Sequence, residues 1–181
     1  MRSPHRALGV LGFALLAACF GEAPQADETA DGGSSEGTSS CAPVEQPMPQ
    51  VDCPAMCNGG CAENECQILC RPDQSCADAT LVCPEAFACD VDCEGEGVCS
   101  GLTLTCGSDF ACSLSCSGAD ACANAEQRCG FSECSIECGP DPSSCAGTSV
   151  RCSEGACLAE CAGTSVPHLD RCEQACECGA C

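Results

Sequence analysis

The chain has 181 residues and 27 cysteines, with no Trp, Tyr or Lys and only five Phe. The large side chains that fill a conventional core are missing, so cystines must replace them, as they do in small exported domains. A formal net charge of −21, from 27 acids against six Arg, repels nucleic acid and anionic lipid surfaces and excludes nucleic acid as a partner.

The first predicted element is an export signal over residues 1–18. Arg2, His5 and Arg6 form a basic start, and Val10 to Ala18 is an apolar stretch too short to span a bilayer. It ends in Leu16-Ala17-Ala18-Cys19, which resembles the lipobox of bacterial lipoproteins. In that family the small residues enter a narrow protease site, and the cysteine takes up the lipid and becomes the first mature residue. The resemblance therefore implies lipidation at Cys19 and a membrane partner through that lipid. Phe20 rather than Asp follows, so the family's inner-membrane retention signal is absent. The implied location is the cell envelope, as an outer-membrane lipoprotein facing periplasm or cell surface. Ordinary cleavage and secretion is the alternative. Without Cys19, 26 cysteines remain, an even number that can pair completely.

Residues 19–52 hold the lipidated cysteine and a stretch rich in Gly, Ser, Pro, Thr and acids. With almost no apolar residues it cannot repay its ordering entropy and is expected to be a flexible acidic tether. Residues 53–181 form the cysteine-rich repeat domain, with regular repeats over 66–161 and a C-terminal cap over 162–181.

The repeat is carried by cysteine spacing. From Cys66 the steps run 4, 6, 7, 6, then 4, 6, 7, 6, then 4, 6, 7, 5, then 4, 7, 7, 5 as far as Cys157. The period is 23, 23, 22 and 23 residues, a regularity that marks a repeat architecture. Each copy opens with Cys-x-apolar-x-Cys, centred on Ile68, Val91, Leu114, Ile136 and Ala159. Phe87, Cys89, Val91 and Cys93 share one face, and Asp90 and Asp92 lie on the other, which is strand alternation. A second strand ends at the fourth cysteine. Leu102, Leu104 and Cys106 share its inner face, as do Ala79, Leu81 and Cys83, and Thr148, Val150 and Cys152. Ala125, Gln127 and Cys129 follow less well, because Gln127 is polar.

Two residues after each third cysteine stand Asp78, Gly101, Asn124 and Gly147, all types that tolerate positive φ. This column predicts one left-handed corner per repeat. Gly163, two residues after Cys161, extends the column if Cys161 takes the third-cysteine role in a shortened copy. Pro84, Gly107, Gly130 and Ser153 mark a second corner.

Two strands and two corners every 23 residues describe one rung of a β-solenoid. The expected fold is all-β: about five stacked rungs, roughly 24 Å tall at about 4.8 Å each. The pattern resembles cysteine-rich repeat proteins of β-helical character. The alternative is a chain of small independent knots.

Cysteines four apart on an extended strand, such as Cys89 and Cys93, lie about 13 Å apart and cannot bridge, since a disulfide needs Cα atoms within about 7 Å. The simplest pairing joins cysteines across a corner. This gives Cys70–Cys76, Cys83–Cys89, Cys93–Cys99, Cys106–Cys112, Cys116–Cys122, Cys129–Cys134, Cys138–Cys145 and Cys152–Cys157. Bridges between stacked rungs are also within reach.

Several residues carry the marks of other chemistry. Cys172, Cys176, Cys178 and Cys181 with His168 have zinc-ligand character, and metallothionein-like chains resemble this one in cysteine content. A metal-binding envelope protein, holding zinc, copper or calcium, is thus the alternative function. Asp73, Glu96, Asp120 and Asp141 recur near one corner, where stacked carboxylates can hold calcium, although no calcium-loop motif occurs. Thr103 and Thr105 begin a hydroxyl ladder that the other copies break. No catalytic motif appears, and one His and four Arg remain after the signal. The expected function is a surface-anchored, disulfide-stabilised structural or interaction module, not an enzyme and without a cofactor. Its partner would be an extracellular protein or carbohydrate.

The left-handed column yields a test. Gly101→Val should cost about 1–2 kcal/mol, because a β-branched side chain clashes at positive φ. Peptide mapping without reductant should then show mispaired cysteines around that corner. A variant with native bridges and unchanged melting would instead favour independent knots.

Overall fold

The computed structural model describes Cys41 and residues 52–181. The signal segment, Cys19 and most of the tether, residues 42–51 included, lie outside the described residues. The described chain is all-β, apart from one 3-10 turn at Cys172–Gln174.

Five rungs are built from pairs of strands. The longer strands are β2 (Glu65–Cys70), β4 (Ala88–Glu94), β6 (Cys112–Ser117), β8 (Cys134–Cys138) and β10 (Ala156–Cys161). The shorter ones are β3 (Thr80–Val82), β5 (Thr103–Thr105), β7 (Glu126–Arg128), β9 (Ser149–Arg151) and β11 (His168–Asp170). Long strands pair in parallel with long, and short with short, giving two facing sheets. β1 (Gly60–Ala62) adds to β2 antiparallel at one end, and β12 (Glu177–Gly179) adds to β10 in parallel at the other. This is a β-solenoid. The short strands were the less visible in sequence, since three residues carry little periodicity.

Register explains the repeat. Cys66, Cys89, Cys112, Cys134 and Cys157 stand one above another, and so do Cys70, Cys93, Cys116, Cys138 and Cys161. Between them runs an apolar column of Ile68, Val91, Leu114, Ile136 and Ala159, all buried. The opposite sheet contributes Leu81, Leu104, Gln127, Val150 and Leu169. Leu104 and Val150 in the middle rungs are buried, whereas Leu81 in the first rung is only partly so, because β3 has a single strand neighbour, β5.

Gln127 sits in this column at 0% exposure. Its Nε2 donates to the Ser135 carbonyl at 3.2 Å and lies 3.9 Å from the sulfurs of Cys106 and Cys112. Its Oε1 has no partner, a cost that a well-packed apolar residue would avoid.

The first-end cap is polar. The Asn58 side chain both donates to the Leu69 carbonyl at 2.8 Å and accepts from the Leu69 amide at 2.6 Å. It pairs with the outer edge of β2 as a strand would.

Both corners follow from backbone geometry. Asp78, Gly101, Asn124 and Gly147 have φ of 55°, 70°, 57° and 71°, one left-handed residue per rung. Gly163 does not join them. Cys161 stands over Cys138, so it occupies the second-cysteine position, not the third. The offset to the preceding copy falls from 23 residues at Cys161↔Cys138 to 19 at His168↔Ser149. The last rung is thus four residues shorter across this corner, and its turn is rebuilt. The buried Ser165 stands near the third cysteine instead, its Oγ accepting from the Cys145 amide at 3.0 Å.

The second corner is limited by contact between rungs. A Cβ at Gly130 would collide with the backbone carbonyl of Gly107 in the rung before it, whereas one at Gly107 would sit 3.8 Å from the Pro84 carbonyl. Backbone cannot rotate out of the way as a side chain can. Gly130→Ala is therefore expected to lower stability by about 1–3 kcal/mol, and Gly107→Ala by far less. Thermal melting of the two variants without reductant checks this, and equal losses would remove the inter-rung contact as the cause.

Candidate functional site

Disulfides line both corners of the solenoid. At one corner Cys70 joins Cys76, Cys93 joins Cys99, Cys116 joins Cys122, and Cys138 joins Cys145, with Cα separations of 5.6–6.0 Å. At the other, Cys83 joins Cys89, Cys106 joins Cys112, Cys129 joins Cys134, and Cys152 joins Cys157, at 5.7–5.9 Å. Each closes a loop of about seven residues, worth about 2 kcal/mol in the chain-entropy model. Sulfurs of successive bridges touch, as at Cys83 and Cys112, 3.9 Å apart.

The caps use bridges that spacing did not reveal. Cys53–Cys61 and Cys57–Cys66 hold the first end. Cys161–Cys181, Cys172–Cys178 and Cys41–Cys176 hold the last. Cys41 lies 135 residues from its partner, within the segment read as tether. Cys66 and Cys161 stand in the regular columns, but spacing gives them no partner, and only the even count pointed to these bridges.

The zinc-type cluster is thereby dispersed. Cys172, Cys176, Cys178 and Cys181 all enter disulfides, and His168 Nε2 lies 2.9 Å from Asp170. A bridged sulfur is not the thiolate that zinc requires. Among the described residues, the groups of three ligand atoms close enough to share an ion are all cysteine sulfurs, and each includes a bridged pair. The acidic corner makes no such group. Asp141 instead accepts from the amide and hydroxyl of Ser143, at 3.0 and 2.8 Å, and the Ser143 hydroxyl accepts from the Asp120 amide at 3.0 Å.

What remains is two outward faces. On the long-strand sheet one column reads Gln67, Asp90, Ser113, Ser135, Leu158, and the next Leu69, Asp92, Ser115, Glu137, Glu160. Ser113 donates to Asp90 at 2.7 Å. Arg71 reaches Asp92 at 2.8 Å and Glu94 at 3.2 Å. Burial, with Asp90 and Glu63 nearby, raises the Glu65 carboxyl above its ordinary pKa. A shallow groove of about 440 Å³ runs along Ser115, Ser117, Glu137, Gly139 and Glu160.

On the short-strand sheet the columns are Thr80, Thr103, Glu126, Ser149, His168 and Val82, Thr105, Arg128, Arg151, Asp170. Glu126 takes two hydrogen bonds from Arg128, at 2.9 and 3.0 Å, and lies 3.4 Å from Arg151. The bond from Arg128, aided by Arg151, holds its carboxyl below the usual range. The Thr103–Thr105 ladder gives way to these charges after one rung. Both faces are polar, and the groove on the long-strand face is open to solvent.

The bridges make a countable prediction. The folded chain from Cys41 onward should weigh about two mass units less per bridge than its reduced form, for thirteen bridges. It should take up no thiol-alkylating reagent before reduction. Extensive alkylation of the native protein would point instead to thiolates held for metal. Comparison of the chain with protein-family models, with curated proteins and with solved structures finds no match.

Proposed function

We propose that this chain is a surface-anchored, disulfide-stabilised structural or interaction module of the cell envelope and performs no catalysis. The observation that carries the reading is a body walled by cystines on both corners that follows an N-terminal segment ending in Leu16-Ala17-Ala18-Cys19. Bridges of this density are characteristic of an oxidising compartment, and the lipobox-like sequence would supply both the export and the anchor.

The outward faces support a role in contact. They present hydroxyls, carboxylates and a few paired arginines on a frame that cannot rearrange without breaking covalent bonds. A rigid frame loses little entropy on binding, which suits recognition of an extracellular protein or carbohydrate. Metal binding is the weaker reading, because the thiols it needs are bridged.

The anchor is tested in cells that process the precursor. The wild-type chain should partition into detergent and carry acyl groups on Cys19, and Cys19→Ser should accumulate unlipidated and leave the membrane fraction. A Cys19→Ser chain that matures normally and stays membrane-bound would overturn the lipoprotein reading.

A further inference from the structure

The bridge between Cys41 and Cys176 stands apart from the other twelve. It is not local, with 135 residues between its cysteines, and it ties the N-terminal segment to the wrong end of the solenoid. The chain enters the repeat domain at Cys53, which is bound to Cys61 on β1, beside the first rung. By sequence alone, the tether should emerge there.

Cys176 lies at the opposite end. It directly precedes β12, whose Glu177 stands beside Ala156 on β10, the last long strand of the stack. The Cys176 amide donates to the Glu154 carbonyl at 3.1 Å, so the bridge partner is itself fixed to the last rung. With Cys41 and Cys176 Cα atoms 5.2 Å apart, everything N-terminal to Cys41 must depart from the last rung.

We infer that the solenoid is displayed with its C-terminal end toward its anchor, and that the N-terminal cap faces outward. The inference rests on the anchored reading proposed above for its membrane, but not for the exit point itself. It assigns the outward surface: the end built by β1 and Asn58, where β3 keeps one strand neighbour and Val82 is 57% exposed. A tether leaving from Cys53 would have turned this end toward the membrane and hidden it.

The exit point is tested on the full mature chain from Cys19, with a site-specific protease sequence inserted between Gln46 and Pro47. After cleavage, the N-terminal piece should stay attached to the solenoid until a dithiol reductant is added. It should separate without reductant from the Cys41→Ser/Cys176→Ser double variant. Separation of the wild-type piece without reductant would overturn the proposal.

Orientation is tested by coupling the Cys19 thiol of the unlipidated mature chain to maleimide lipid in phosphatidylcholine vesicles that carry an acceptor dye. Donor tags are placed either in the Glu63–Asn64 turn or after Cys181. Energy transfer should be at least about twofold stronger from the C-terminal tag, and the order should reverse in the double variant. Equal transfer, or stronger transfer from the turn, would overturn the inference. Because the vesicle anchor is chemical, this outcome does not depend on lipidation in cells, which the Cys19→Ser experiment judges separately.

Discussion

Parallel strands in register place each residue directly over its counterpart in the next rung, and the core, the corner bridges and the outer faces of the stack answer to that constraint. Like stacks on like at about 4.8 Å. An apolar column gains from this, since Val91, Leu114 and Ile136 bury one another completely. A cystine column gains as well, because bridges repeat in the same orientation and their sulfurs touch. A carboxylate column loses, because neighbouring charges repel. The outer faces reflect this. Asp90 stacks on Ser113 and Asp92 on Ser115, Arg71 answers Asp92 and Glu94, and Glu126 stands among arginines. The strong negative charge is thus spread so that few acids stand over acids, with Glu137 over Glu160 an exception.

The same register made much of the fold legible. Cysteine and apolar positions recur because each rung must match the one beneath it, so period, strand faces and the left-handed corner could be read from spacing. Gln127 shows the limit of reading residue type alone: polarity argued against an inward position, yet stacking between Leu104 and Val150 fixed it there. Where register ends, so does legibility. Cys161 keeps its place on the strand, but its partner, Cys181, belongs to a cap with no earlier copy. The shortened last corner misdirected the reading of both Cys161 and Gly163. The pairing of Cys41 with Cys176 has no spacing signature, since it joins segments that meet only once the stack is complete.

The candidate site was less legible than the fold because the outer faces obey fewer rules. Inward positions are apolar or cystine with few exceptions, Gln127 and Thr148 among them, and outward ones need only avoid repulsion. The sequence therefore specifies a frame closely and leaves its faces free to differ from rung to rung.

The corner bridges have a consequence for how such a chain can grow. Residues 67 to 89 contain Cys70, Cys76, Cys83 and Cys89, two complete bridges and no fragment of a third. Insertion or loss of one such unit leaves every remaining corner cysteine with its partner, so the stack can change length without creating an orphan thiol. Only Cys41–Cys176 measures the whole. The twelve steps from Cys41 to Cys53 can cover at most about 40 Å, which is about eight rungs at about 4.8 Å each. The bridge acts as a ruler: the present five rungs fit beneath it, and a stack much taller than eight would have to give it up.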